Sequence, residues 1–275
     1  MDVVDFARQK TSRLDRVGLQ KTTLLDFPGE VAATVFIPGC NLRCPYCHNP
    51  GLVSPPFPED MIPVGELDAF LSRRARVLGG VCITGGEPLV HPDIGSLAGI
   101  IRSHGLRVKL DINGTFPERL EELLASGLVD YVAMDIKTAP DLYDTLLIGR
   151  RRNGSLLSGR PPADDEGDLS NADGGPARQA GGLGEKVRLS VEVLRNSGVP
   201  YELRTTVVPG IAGPGEMPAI LPLLPGAERY VLTPFRGGTT LDPTFAALDP
   251  PSCETMQNML SIAENGGIRC ARLSE

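Results

Sequence analysis

Val31-Ala-Ala-Thr-Val-Phe-Ile-Pro-Gly-Cys-Asn-Leu-Arg-Cys-Pro-Tyr-Cys-His48 is the stretch from which the rest of the chain can be read. Its first seven residues are apolar or β-branched without polar alternation, the pattern of a strand buried on both faces. Pro38-Gly39 stops it, because proline offers no N–H to a ladder and glycine lets the chain turn. Cys40, Cys44 and Cys47 therefore stand at the C-terminal end of a core strand. Upstream, residues 16–25 supply an antiparallel arm, with a hairpin turn at Asp26-Phe-Pro-Gly-Glu30.

Downstream the chain alternates. Residues 64–78 have helical apolar spacing at Leu67, Phe70, Leu71 and Leu78, and 80–84 form a short apolar strand. A helix over 93–104 stops at Gly105, a strand covers 106–112, and a helix over 117–126 opens with proline and stops at Gly127. Strand 129–136 precedes Lys137. The rhythm breaks over 150–184, which is rich in Arg, Gly, Pro and Asp and poor in large apolar residues. Such a segment cannot bury enough surface to order itself and reads as a flexible low-complexity insertion. The alternation resumes with helix 185–196, strand 201–208, a helix over 215–224, strand 229–233, helix 251–264 and a closing strand at 267–271. Repeated strand–helix units require a mostly parallel sheet with right-handed crossovers. A single domain over 1–275, with its core at about 17–245, is the expectation.

Composition narrows the function. The chain's 275 residues suffice for one large core, and its hydrophobic fraction of 41% and charged fraction of 22% are those of a soluble globular domain. A net charge of -7 gives no field that would attract phosphates, and aromatics at 5% with no Trp give no base-stacking platform, so a nucleic-acid partner is not expected. No apolar run approaches the ~20 residues of a membrane helix, and residues 1–10 do not read as a secretory signal. A cytoplasmic, reducing compartment follows as the expectation. There, six cysteines point to metal or catalysis rather than disulfides.

Three thiolates spaced C-x3-C-x2-C on one loop suit three irons of a [4Fe–4S] cluster. The fourth iron is then open to a substrate or cofactor, whereas a four-cysteine cluster mainly passes electrons. Two alternatives compete. Cys40, Cys44, Cys47 and His48 could hold a zinc ion, although adjacent Cys47 and His48 strain to converge on a tetrahedron. Cys253 or Cys270 could complete a closed cluster, without support from the residues around either. Cys82 reads as a small core residue in mid-strand.

The other candidates fall at the C-terminal ends of successive strands, where barrels of this kind place their working residues. Gly85-Gly86-Glu87-Pro88 follows the second core strand, Asp111 and Asn113 the third, Asp135 and Lys137 the fourth, and Arg204 lies on the fifth. Paired glycines let a ligand approach the backbone, and Glu87 could accept from an ammonium group; the same residues could equally form a plain βα turn. Asp111 and Asp135 could orient a cationic ligand or hold a metal ion, and Lys137 could meet a carboxylate. The competing account is an Asp–Lys ion pair that is only structural. His91 reads as loop and His104 as a helix-end residue, and neither has a nucleophile to serve.

With Tyr46 before its third cysteine, Cys40-x3-Cys44-x2-Cys47 resembles the signature of the radical S-adenosylmethionine (SAM) enzymes. Gly85-Gly86-Glu87-Pro88 resembles their methionine-binding turn. Gly18-Leu-Gln-Lys-Thr22, Asp26-Phe-Pro-Gly29, Cys47-His-Asn-Pro50, Asp111-Ile-Asn-Gly114, Tyr131-Val-Ala-Met-Asp-Ile-Lys137 and Arg204-Thr-Thr-Val-Val-Pro-Gly210 are similar to activating proteins of glycyl-radical enzymes, in particular of the anaerobic ribonucleoside-triphosphate reductase. The resemblance implies an α/β fold, a partial (β/α)6 TIM-like barrel with an N-terminal β-hairpin extension. It implies one [4Fe–4S] cluster on Cys40, Cys44 and Cys47, and SAM contacted by Tyr46, Gly85, Gly86, Glu87, Pro88, Asp111, Asn113, Asp135, Lys137 and Arg204. A monovalent cation near the two aspartates is a further implication. No cysteine occurs over 49–79, where some relatives carry a second cluster. Ile112 departs from the threonine common in these activators, and the 150–184 insertion is long for them. A reducing protein such as flavodoxin or ferredoxin would deliver one electron and the C5′–S bond would break. The 5′-deoxyadenosyl radical would then take hydrogen from a backbone glycine of the reductase subunit. Activation of another glycyl-radical enzyme such as pyruvate formate-lyase, small-molecule radical chemistry and a non-catalytic electron carrier are the alternatives.

Overall fold

The hairpin forms as its turn chemistry requires. In the computed structural model, which describes residues 14–144, 182–268 and 271–274, β1 (Arg16–Thr23) pairs antiparallel with β2 (Ala32–Ile37). Gly29 takes φ 79° in the connection, a left-handed conformation that costs glycine nothing. Thr34 donates to Asp26 at 2.5 Å across the base of the turn. A two-residue β3 (Ile62–Pro63), absent from the sequence reading, pairs with the start of β1; its proline fits there because an edge strand has a side that needs no donor.

From β2 onward the sheet is parallel. β4 (Gly80–Gly85), β5 (Arg107–Ile112), β6 (Tyr131–Asp135), β7 (Tyr201–Val207), β8 (Arg229–Pro234) and β9 (Ala271–Leu273) follow in spatial order. The described residues thus form a nine-stranded sheet, ordered β3-β1-β2-β4-β5-β6-β7-β8-β9. β2 and β4–β8 are the six parallel strands expected, and β9 adds a further one displaced C-terminally from 267–271.

The helices are α1 (Val64–Arg74), α2 (Ile94–Ser103), α3 (Pro117–Ala125), α4 (Leu183–Ser197), α5 (Met217–Ile220), α6 (Pro243–Ala246) and α7 (Cys253–Asn265). The helix expected over 215–224 is one α turn followed by a 3-10 turn, since Pro218 and Pro222 remove donors from it. α1 stops at Arg74, short of the expected 78, and buried Leu78 belongs to the run into β4. α4 begins at Leu183, inside the range expected to be unstructured. Residues 145–181, the bulk of that insertion, lie outside the described residues, as does Cys270.

Strand alternation sorts side chains onto two faces. Val35, Val81, Val108, Leu110, Val132 and Leu203 join Leu67, Leu97, Leu120, Val191, Ile220 and Met259 of the helices in one core. The residues between them, including Thr34, Cys82, Lys109, Asp111, Asp135, Glu202 and Arg204, belong to the opposite face. Helices therefore cover one side of the sheet and ionisable groups line the other. No helix among the described residues is long and apolar enough to cross a membrane.

Candidate active site

The cysteines lie where β2 ends. Gly39, at φ 90°, turns the chain, and the loop doubles back on itself through bonds from Gly39 N–H to the Leu52 carbonyl (2.7 Å) and from Cys40 N–H to that of Val53 (3.1 Å). A tighter turn joins Cys47 N–H to the Cys44 carbonyl at 3.0 Å. Leu42, Cys44 and Tyr46 pack with Val208 and Phe235 in a second, smaller core, against which Cys40 and Cys47 also lie. Residues beyond β8 latch the loop: Asp242 N–H donates to the Pro45 carbonyl at 2.9 Å and Leu241 N–H to that of Cys47 at 3.1 Å. The His48 ring stacks on Phe235, with centroids 5.4 Å apart.

The donor set suits a soft metal centre. Burial pushes the Cys40 thiol up to about 11 and that of Cys44 up to about 12, so ionised sulfur here needs a positive partner. Leu42 N–H already points at Cys40 Sγ, at 3.4 Å. Among the described residues, no three His, Cys, Asp or Glu side chains converge on a point that would hold one metal ion. His48, the fourth ligand of the zinc alternative, has Nδ1 at 3.2 Å from the Thr239 carbonyl. A cluster of several irons spreads its thiolates over several metals, and three thiolates on one turn fit it. Cys253, the other candidate ligand in view, is exposed at the start of α7.

The Gly85-Gly86-Glu87-Pro88 turn is tied to this loop. A Cβ on Gly86 would overlap the Gly39 carbonyl oxygen, and one on Gly85, at φ 116°, would overlap the backbone of Ile37. The paired glycines let the cysteine loop itself approach. Gly86 N–H donates to Ile37 and Glu87 N–H to Gly39, each at 2.8 Å, while His91 Nε2 lies 2.6 Å from the Pro38 carbonyl. Glu87 is 1% exposed. Its carboxylate accepts from Leu89 N–H at 3.0 Å and Asn113 N–H at 2.7 Å, so it braces β4 to the end of β5. Burial outweighs those bonds and pushes its carboxyl up to about 7. Pro88 opens the short 3-10 turn that Glu87 caps.

The charged candidates form a continuous ladder across β5, β6 and β7. Lys109 Nζ pairs with Asp111 Oδ1. Arg204 bridges the aspartates, Nη1 to Asp111 Oδ2 at 3.0 Å and Nε to Asp135 Oδ1 at 2.8 Å, and Lys137 Nζ meets Asp135 Oδ2 at 2.8 Å. Burial alone would raise the Asp135 carboxyl, yet Arg204 and Lys137 together hold it well below the usual carboxylate range. Lys137 is clamped on both sides: its N–H donates to Tyr143 Oη at 2.7 Å, and Tyr46 Oη of the cysteine loop donates to its carbonyl at 3.4 Å.

Asp111, Asp135, Lys137 and Arg204 are thus brought together, as are the cysteines with Tyr46 and the glycine turn. Sequence reasoning missed Lys109, although its place two residues before Asp111 on an alternating strand puts both on one face. It also missed Asn41 and Thr115. Asn41 Nδ2 donates to Thr115 Oγ1 at 2.8 Å, Asn113 Nδ2 to Asn41 Oδ1 at 3.0 Å, and Asn113 Oδ1 accepts from Thr115 N–H at 3.0 Å. No local pattern announces partners so distant in sequence.

Comparison with known proteins agrees with this geometry. Residues 34–213 match the radical SAM superfamily. Over 248 residues the chain is 26% identical to a protein of Methanocaldococcus jannaschii named as a candidate glycyl-radical enzyme activating enzyme, spanning 90% of each. It is 36% identical over 134 residues to the 7-carboxy-7-deazaguanine synthase of Methanopyrus kandleri, an alignment covering 40% of this chain and 51% of that protein. Its fold resembles that of Streptococcus suis SuiB bound to S-adenosylmethionine, with a TM-score of 0.56 and 11% identity over 86% of this chain and 48% of that one. The shared architecture is the partial barrel-like sheet with an antiparallel hairpin at its N-terminal edge.

Proposed function

The chain belongs to the radical SAM superfamily, and from that premise we propose that it activates a glycyl-radical enzyme, the anaerobic (class III) ribonucleoside-triphosphate reductase being the intended partner. The observation that carries the activase reading is the alignment with the Methanocaldococcus jannaschii protein, which runs through nine-tenths of both chains; the choice of reductase rests on the motifs of the sequence alone. Cys40, Cys44 and Cys47 hold the cluster. When bound there, a [4Fe–4S] cluster would supply the one-electron chemistry for reductive cleavage of SAM, the reaction from which a glycyl radical on a partner is made.

The rest is the work of the polypeptide. The Gly85–Gly86 backbone and the carboxylates of Asp111 and Asp135 offer acceptors to the methionyl ammonium. The ladder sets Lys109, Arg204 and Lys137 against Asp111 and Asp135, and Glu202 lies 4.0 Å from Arg204 Nη1. Lys137, nearest the cysteine loop through Tyr46, suits the methionyl carboxylate. Glu87, Pro88 and Asn113 shape the rim rather than touch the cofactor. A low-potential flavodoxin or ferredoxin in the cytoplasm supplies the electron.

A second reading, radical chemistry on a small molecule, is favoured by the higher identity to the deazaguanine synthase over a shorter stretch. Anaerobic reconstitution followed by reduction with SAM and the candidate reductase separates the two. The activase gives 5′-deoxyadenosine together with a glycyl radical seen by electron paramagnetic resonance (EPR). Deoxyadenosine without that radical, across the glycyl-radical enzymes of the source organism, leaves the small-molecule reading.

A further inference from the structure

From the bonds around Cys40 we infer that Asn41, Asn113, Thr115 and Glu87 form a clasp that fixes this one cysteine from both sides, and that Asn113 is a positioning residue of the cluster. The inference rests on the three cysteines being cluster ligands.

The clasp is a closed circuit. Starting at Gly39, the carbonyl accepts from Glu87 N–H at 2.8 Å. Glu87 Oε2 accepts from Asn113 N–H at 2.7 Å. Asn113 Nδ2 donates to Asn41 Oδ1 at 3.0 Å, and the backbone returns from Asn41 through Cys40 to Gly39. Thr115 locks the amide orientations. Its backbone N–H can only donate, so it must face Asn113 Oδ1, which turns Nδ2 toward Asn41. Its hydroxyl donates to the same oxygen at 2.6 Å and accepts from Asn41 Nδ2 at 2.8 Å. Asn113 is 5% exposed and Thr115 1%. The turn that carries them is itself buttressed: Ser190 of α4 donates to the Gly114 carbonyl at 2.7 Å, and Gly114, at φ 78°, sits flush against Met134.

Both chain neighbours of Cys40 are therefore pinned to the ends of β4 and β5. Cys47 is held differently: its neighbours Tyr46 and His48 reach the Lys137 and Thr239 carbonyls, and backbone bonds from Leu241 and Asp242 latch the loop. Cys40 is the corner of the ligand set tied to two strand ends, and the Asn113 amide is spent on keeping it so.

Residues that orient metal ligands typically change metal affinity by about 10–100-fold when removed. Anaerobically reconstituted Asn41→Ala and Asn113→Ala are expected to release iron to a chelator about 10–100-fold faster than the wild-type protein, with far-UV circular dichroism unchanged. Because either change opens the same circuit, the double variant is expected to release iron no faster than the faster single one. Asn41→Asp keeps the acceptor for Asn113 Nδ2 and puts an acceptor in place of the donor to Thr115 Oγ1. It is expected to release iron more slowly than Asn41→Ala, a rescue that a role confined to the Thr115 contact would not give. Should Asn113→Ala not fold, Asn41→Ala on the half-buried loop carries the comparison. Wild-type protein that takes up no iron–sulfur cluster overturns both this inference and the reading of the cysteines. A wild-type cluster with alanine variants releasing iron within twofold of it, or with additive effects in the double variant, overturns the clasp alone.

Discussion

Glu87 and Asp135 are both buried carboxyl groups at strand ends, and they respond to pH in opposite directions. Burial pushes Glu87 up to about 7, so the folded chain holds a proton that the unfolded chain has lost above its ordinary value. Its contribution makes stability fall as pH rises from the ordinary carboxylate range toward 7, and is flat beyond. Glu87→Gln should abolish that slope. The amide has one oxygen for two N–H donors, so the variant should also lose about 1–3 kcal/mol at pH 5 through the orphaned N–H of Leu89 or Asn113. Urea midpoints at pH 5 and 7.5 for both proteins test it; parallel pH slopes would refute it. Asp135 is held low by Arg204 and Lys137, so its contribution is present above the ordinary carboxylate value and disappears as pH falls through the folded one. Arg204→Ala strips a partner from each of two aspartates that are mostly out of solvent. It should cost toward the lower end of the ~3–5 kcal/mol of a broken buried pair and shift the onset of acid unfolding upward. A thermal shift within the error of wild type at pH 7 would mean that the ladder is solvated. The sequence names Asp111, Asp135, Lys137 and Arg204 of the ladder; what it leaves undecided, ligand contact or ion pair, depends on distances across three strands.

At the scale of elements, the strands that end in Cys40, Gly85, Asp111 and Asp135 were legible, because a buried parallel strand must be apolar and its end must not be. β3 and α6 were not, being too short to show a period. The Gly85-Gly86 turn was legible in place but not in full. Paired glycines say that something comes close to the backbone; the fold shows the cysteine loop there, and whether a ligand approaches as well is a separate question. Gly86→Ala tests the distinction. The new methyl would overlap the Gly39 carbonyl, a backbone atom that cannot swing aside as a side chain would, so the loop must move. The expected outcome is a folded protein by circular dichroism with cluster iron reduced several-fold after reconstitution. Full iron content with weakened SAM binding would instead place the ligand, not the loop, against Gly86.

The whole molecule sets Lys109, Arg204 and Lys137 on the face of the sheet opposite the helices, in a chain that carries net -7, so any attraction for a carboxylate is local to the site rather than a property of the surface. It also brings together the two sides of the break in the strand–helix rhythm. Leu183 N–H donates to Asp144 Oδ1 at 3.2 Å, and Gly182 lies against the same carboxylate. The two residues that flank 145–181 therefore meet. Gly184 follows, flush against the Pro140 carbonyl, so α4 is seated by contacts on the near side of the excursion. Residues 145–181 can then be replaced by a short Gly–Ser linker without pulling any described element out of register. Each halving of a flexible loop returns about 0.6 kcal/mol of closure entropy, so the shortened chain should melt at or slightly above the wild-type temperature and reconstitute the same iron content. A melting temperature several degrees lower would show that the segment packs on the domain. With fold and cluster retained, production of 5′-deoxyadenosine should also persist, and the glycyl-radical yield on the reductase then reports separately on whether the segment serves docking.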